Sequence, residues 1–140
     1  MNDIVKQATA QNQTNQKNTS KRILVVDDEQ YIRELYEEVL KAEGFAVDTA
    51  SDGEEALAKI IAGGYSVITL DVVMPKLDGL GILTKLKEST PKQKNGPIIL
   101  LTSLANDPAV KQALEMGAQK VIIKTDITPK QFIDMIKTAT

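Results

Sequence analysis

From Arg22 onward, short runs of Val, Ile and Leu alternate with segments of helical period, five times in succession. That rhythm is the pattern of a parallel sheet wrapped by helices on both faces, so an α/β fold of five βα units is expected. The strand runs are Arg22-Ile23-Leu24-Val25-Val26, Ala46-Val47-Asp48-Thr49, Val67-Ile68-Thr69-Leu70, Ile98-Ile99-Leu100-Leu101 and Val121-Ile122-Ile123. Runs one, three, four and five are nearly continuous in large apolar residues and read as strands buried on both faces. Run two is partly polar and suits an edge. Parallel strands share one carboxyl edge, where open α/β sheets bind ligands. Four of the five runs end there on a group with chemistry: Asp27-Asp28, Asp71, Thr102 and Lys124.

The helical segments carry their own punctuation. One over about 30–43 places Ile32, Leu35, Tyr36, Val39 and Leu40 on a single face and stops at Gly44. Another begins at Asp52 with Glu55 three residues on, a capping arrangement, and buries Ala56, Leu57, Ile60 and Ile61. A third, from about Asp78 to Glu88, turns Leu80, Leu83 and Leu86 inward. The fourth, about 107–116, uses Val110, Ala113 and Leu114. The last opens at Thr128-Pro129-Lys130-Gln131 and directs Phe132, Ile133 and Ile136 at the sheet. Ser89 to Gly96 reads as a surface loop. Residues 6–20 lack any large apolar side chain, so residues 1–20 are expected to form a disordered polar leader before a domain over 21–140.

At 140 residues the chain suits one domain that buries about two-thirds of its unfolded surface. Without Cys or His there is no disulfide framework, no zinc-finger-like site and no His-activated nucleophile. Any metal must be held by oxygens, which favours hard ions such as Mg²⁺. A net charge of -2 argues against a direct nucleic-acid surface. Eleven acids crowd residues 27–55 against only Arg33 and Lys41, so the negative field sits near the strand ends. No membrane span or signal peptide is legible, and the expected location is cytoplasmic.

Three carboxylates at one edge repel by about 1 to 4 kcal/mol per pair at close range. Lys124 offsets one charge, and a divalent hard cation would neutralise the remainder. Mg²⁺, with Mn²⁺ as a substitute, fits because it takes one or two carboxylates and keeps its other positions for water, carbonyl and phosphate oxygens. Asp28 is the expected direct ligand and Asp27 a direct or water-mediated one. The segment Asp71-Val72-Val73-Met74-Pro75-Lys76-Leu77-Asp78-Gly79 leaves Asp71 exposed at a strand tip, where it can attack phosphorus in line. Lys124 and the Thr102 hydroxyl would then contact phosphoryl oxygens.

Taken together, Val26-Asp27-Asp28-Glu29, the Asp71 to Gly79 motif, Leu101-Thr102-Ser103, Gly117-Ala118 and Lys124 resemble two-component response-regulator receiver domains over about residues 21–139. The resemblance implies a flavodoxin-like sheet in order 2-1-3-4-5. It also implies Asp71 as phosphoacceptor, the Val73 carbonyl as a backbone metal ligand, and a sensor histidine kinase or phosphotransfer protein as donor. The only catalysis it implies is self-phosphorylation and slow loss of the phosphoryl group. Receivers usually have Pro after the lysine, where this chain has Thr125, and many have Tyr or Phe at the place of Val121. The expected switch therefore moves the loop Thr102 to Asp107 without a rotating aromatic, and alters a partner-binding face formed by residues of about 106–139.

Other readings are weaker. A receiver-like interaction module with a decayed switch is suggested by Val121 and Thr125. An aspartate-nucleophile phosphatase would want an acid where Val73 stands, and a dinucleotide site would want glycines in place of Asp27-Asp28-Glu29-Gln30.

Overall fold

The computed structural model describes residues 21–140 apart from Val73, Pro75 and residues 104–107. The expected leader, the Val73 carbonyl and most of the loop from Thr102 to Asp107 therefore lie outside the described residues. In chain order the elements are β1 (Arg22–Val26), α1 (Gln30–Ala42), β2 (Ala46–Ala50), α2 (Gly53–Ala62), β3 (Val67–Asp71), α3 (Gly79–Glu88), β4 (Ile98–Thr102), α4 (Pro108–Glu115), β5 (Lys120–Ile123) and α5 (Pro129–Ala139), with one 3₁₀ turn at Lys124–Asp126. The five strands are all parallel, as their apolar runs led one to expect, in the order β2-β1-β3-β4-β5 that the family resemblance implies. None of the described helices is long and apolar enough to cross a membrane.

Strand alternation sorts the core into two layers. Leu24, Val26, Ile68, Leu70 and Leu100 pack with Ala56 and Ile60 of α2, Ile82 and Leu83 of α3 and Ala113 of α4. Ile23, Val25, Val67, Ile99 and Leu101 face the other way, against Tyr36 and Leu40 of α1 and Phe132 and Ile136 of α5. On that side the Tyr36 and Phe132 rings stack at 3.9 Å between centroids, joining α1 to α5.

The predicted helix starts form by the expected bonds. Asp52 caps α2 through Glu55 N at 2.9 Å, and Asp78 caps α3 through Gly81 N at 2.9 Å. Thr128 and Gln131 make both halves of a capping box at α5, with Pro129 in the first turn. Three expectations need correction. Asp71 is not exposed at its strand tip but buried, at 5% exposed, with the Lys124 ammonium against its carboxylate. β5 is not buried on both faces: it is the second edge strand, with Lys120 exposed and its other residues half-buried, because only β4 flanks it. Leu114 is not inward but 43% exposed, since Val110 and Ala113 already fill the contact that the eight-residue α4 makes with the sheet.

The end of the sheet away from Asp71 is tied by a polar cluster. Arg22 at the start of β1 donates to Asp48 Oδ2 of β2 at 2.8 Å and lies over the Tyr65 ring, 4.6 Å from its centroid. Tyr65 donates its hydroxyl to the same Asp48 oxygen at 2.7 Å. Burial and the Asp48 carboxylate push the Tyr65 hydroxyl from 10.0 up to about 12. The folded state thus holds that proton more tightly than the unfolded chain does. Its contribution is complete below pH 10.0 and drains away between there and about pH 12. Denaturant titrations across that range should show wild-type stability falling faster than that of Tyr65→Phe; equal slopes would contradict this account.

Candidate metal and phosphoryl site

Register places the site. Val26 pairs with Leu70, so Asp27 and Asp71 stand level at the tips of two central strands. Asp71 pairs with Leu101, which sets Thr102 one residue further along β4, and Thr102 pairs with Ile123, which sets Lys124 one step beyond that. Each residue is thus delivered by the end of its strand.

The turn after Asp71 is shaped by close backbone approaches at two glycines. A Cβ on Gly79 would meet the Asp71 carbonyl oxygen at 3.0 Å, and one on Gly53 would overlap the carbonyl of Leu77. Gly79 N also donates to Val72 O at 2.9 Å. The N-terminus of α2 and the start of α3 therefore brace the loop that follows β3. Lys76 within it adopts a positive φ of 67° and pairs with Asp52 at 3.4 Å.

At the tips, carboxylate oxygens of Asp27, Asp28 and Asp71 all lie within 4.8 Å of one another. Lys124 Nζ enters between them, 2.6 Å from Asp27 Oδ2, 2.8 Å from Asp71 Oδ2 and 3.7 Å from Glu29 Oε1. Its side chain is only 7% exposed. Burial alone would depress the amine, but contacts with Asp27 and Asp71 outweigh it and hold Lys124 well above the ordinary lysine value. The ammonium is therefore permanent at neutral pH.

Asp27 is almost completely buried and is fastened atom by atom. Its N donates to Ala50 O at 3.1 Å, its Oδ1 accepts from Glu29 N at 2.9 Å, and its carbonyl accepts from Arg33 at 2.8 Å. Oδ2 keeps the charge contact with Lys124 but has no aligned hydrogen-bond donor. A buried carboxylate oxygen in that condition has spare coordinating capacity. The donor set is all oxygen, and Lys124 balances only one of the three clustered negative charges. These observations fit a hard divalent cation.

The structure thus brings Asp27, Asp28, Asp71 and Lys124 into one crevice, with Thr102 buried at the adjacent tip of β4. The sequence reading gave neither Glu29 nor Arg33 a role in the site. Glu29 is the N-cap of α1 and Arg33 lies one turn into it, where charge is ordinarily just solvated surface; the signal for Arg33 was its near isolation among acids.

Comparison with known proteins agrees. The family model described as response regulator receiver domain matches residues 23–137, and the chain belongs to that family. A probable transcriptional regulator of Cyanophora paradoxa is 41% identical over 118 residues, 84% of this chain and 47% of its own length. The transcriptional regulatory protein ResD of Bacillus subtilis is 36% identical over 116 residues, 83% of this chain and 46% of its own. The chain therefore spans about half the length of these curated relatives. Among solved structures, a CheY-like receiver domain protein from Methanospirillum hungatei superposes with a TM-score of 0.74 at 30% identity, covering 84% of this chain and 91% of that one. The response regulator TrrA of Thermotoga maritima, solved in complex with Mg²⁺ and BeF, gives 0.71 at 35% identity, covering 86% and 99%.

Removing the ammonium leaves buried like charges facing each other. Lys124→Met should cost about 3 kcal/mol at pH 7 without divalent ions, and adding Asp71→Asn should restore part of that loss. Urea titrations of the two single variants and the double variant measure this; losses that simply add would contradict the ion cluster.

Proposed function

We propose that this receiver domain accepts a phosphoryl group on Asp71 and that the modified site switches a protein-binding face. The observation that supports it most is the setting of Asp71: at a strand tip, 2.8 Å from a permanent ammonium and within 4.8 Å of two further carboxylates. A carboxylate so placed attacks phosphorus in line. The bond from phosphorus to the donor's imidazole nitrogen breaks as the bond to the Asp71 oxygen forms, and the imidazole leaves with the electron pair. These 140 residues hold no His, so the phosphohistidine lies outside them, on a sensor kinase or phosphotransfer protein.

In this reading Asp27 and Asp28, with Asp71 and the carbonyl of Val73, hold Mg²⁺, with Mn²⁺ able to replace it. When bound there, such an ion would supply positive charge to offset the negative charge of the transferring group. Lys124 turns from carboxylate to phosphoryl oxygen, and the Thr102 hydroxyl donates to another, fixing the end of β4. A charge-assisted bond of that kind is worth about 1.5–3 kcal/mol, and about 1.4 kcal/mol shifts a two-state equilibrium tenfold. Val121 is half-buried against the core cluster, so the pull passes through backbone and not through a turning ring. The face it would alter comprises residues of about 106–139. Its described part includes a groove of about 400 Å³ between the start of β5 and α5, lined by Lys120, Asp134 and Met135. A net charge of -2 argues against direct nucleic-acid binding and leaves protein contacts or onward phosphotransfer as the output.

Incubation with acetyl phosphate and Mg²⁺, followed by intact-mass measurement, should show a labile phosphoryl adduct on the wild type and none on Asp71→Asn. An unmodified wild type would favour the alternative, an interaction module that has lost the switch.

A further inference from the structure

Arg33 is out of place for a helix-surface arginine. It lies one turn from Glu29 and one turn from Glu37, spacings at which a guanidinium ordinarily pairs along the helix. Glu37 instead pairs with Lys41 at 3.2 Å, and Glu29 leans toward Lys124 at 3.7 Å. Arg33 turns back past the helix start and donates to the carbonyl oxygen of Asp27 at 2.8 Å, in a part-buried contact.

That carbonyl belongs to the peptide joining Asp27 to Asp28. A peptide is planar, so fixing its oxygen fixes the direction in which the chain leaves toward Asp28. The rest of the loop closes around the same bond. Glu29 N donates to Asp27 Oδ1 at 2.9 Å, and Arg33 N donates to Glu29 O at 3.1 Å. Asp27 is held further by Ala50 and by Lys124. Asp28 is different: it is exposed, yet its carboxylate stands in the cluster with Asp27 and Asp71. Its aim therefore depends on the backbone that carries it.

We propose that Arg33 is a positioning residue of the metal site, its guanidinium holding the Asp27–Asp28 peptide so that the Asp28 carboxylate faces a divalent cation shared with Asp27 and Asp71. This rests on the reading of the site given above and adds a residue that touches neither metal nor phosphoryl group. Ligands of a metal are commonly oriented by such outer partners, whose loss typically costs 10–100-fold in affinity.

The sign of the effect separates positioning from charge. Arg33 is a cation beside a cation site, so by Coulomb's law alone its removal would tighten Mg²⁺ binding. Positioning demands the opposite. Titration calorimetry with MgCl₂ should find Arg33→Ala weaker than wild type by about tenfold. Arg33→Lys, which keeps a donor of similar reach, should recover most of that loss. Thermal melts in the absence of divalent ions should show both variants folded. Affinity of Arg33→Ala equal to or tighter than wild type, with wild type binding normally, would overturn this proposal and leave the reading of the site intact. A wild type that takes up no Mg²⁺ would overturn both.

Discussion

One ammonium held among carboxylates is the contact on which the remaining architecture depends. Three acids within 4.8 Å of one another repel, and Lys124 at 2.6 Å and 2.8 Å from two of them is the charge that makes the arrangement tolerable. The balance is deliberately incomplete: two negative charges are left over, and a buried oxygen of Asp27 has no aligned donor. In the function proposed above, such a site gains a divalent cation and then a phosphoryl group. The sheet supplies the rigidity this requires. β1 and β3 are flanked on both sides, and their tips deliver Asp27 and Asp71 at the same level.

The two ends of the sheet are built with different chemistry. At the far end, Arg22, Asp48 and Tyr65 satisfy one another with two hydrogen bonds and a cation–π contact, binding β1 to its two neighbours. At the site, by contrast, charge is unbalanced and the bonds are ones a new anion could exchange. Lys124 has the most to exchange, since its present partners are the carboxylates themselves. In the proposed function, a group that enters there acts on β4 through Thr102 and on β5, an edge strand, through Lys124.

Much of this was readable from the chain because strand ends are marked twice, by the close of an apolar run and by the chemistry of the residue that follows. Asp27-Asp28, Asp71, Thr102 and Lys124 all fall at such points, and the caps at Asp52, Asp78 and Thr128 are local hydrogen bonds that need no tertiary context. What escaped is non-local. Val121, Ile122 and Ile123 in β5 look like residues of a central strand; the order implied by the family resemblance puts that strand at an edge, but periodicity cannot say that a strand has a neighbour on one side only. Leu114 matches the helical spacing of Val110 and Ala113, yet a short helix touches the sheet along a narrow line. Arg33 was hidden for a similar reason: its choice of a carbonyl over two nearby glutamates depends on where Lys41 and Lys124 have gone.

The central claim is that a divalent cation settles among the tips of β1 and β3. Backbone amide spectra recorded during a Mg²⁺ titration test it most directly. Saturable shifts should gather at Asp27, Asp28, Glu29, Asp71 and Val72, while the amides of Arg22, Asp48 and Tyr65 at the other end of the sheet stay where they are. Shifts that are absent, that never saturate, or that spread evenly over the acidic surface of α1 and α2 would contradict it.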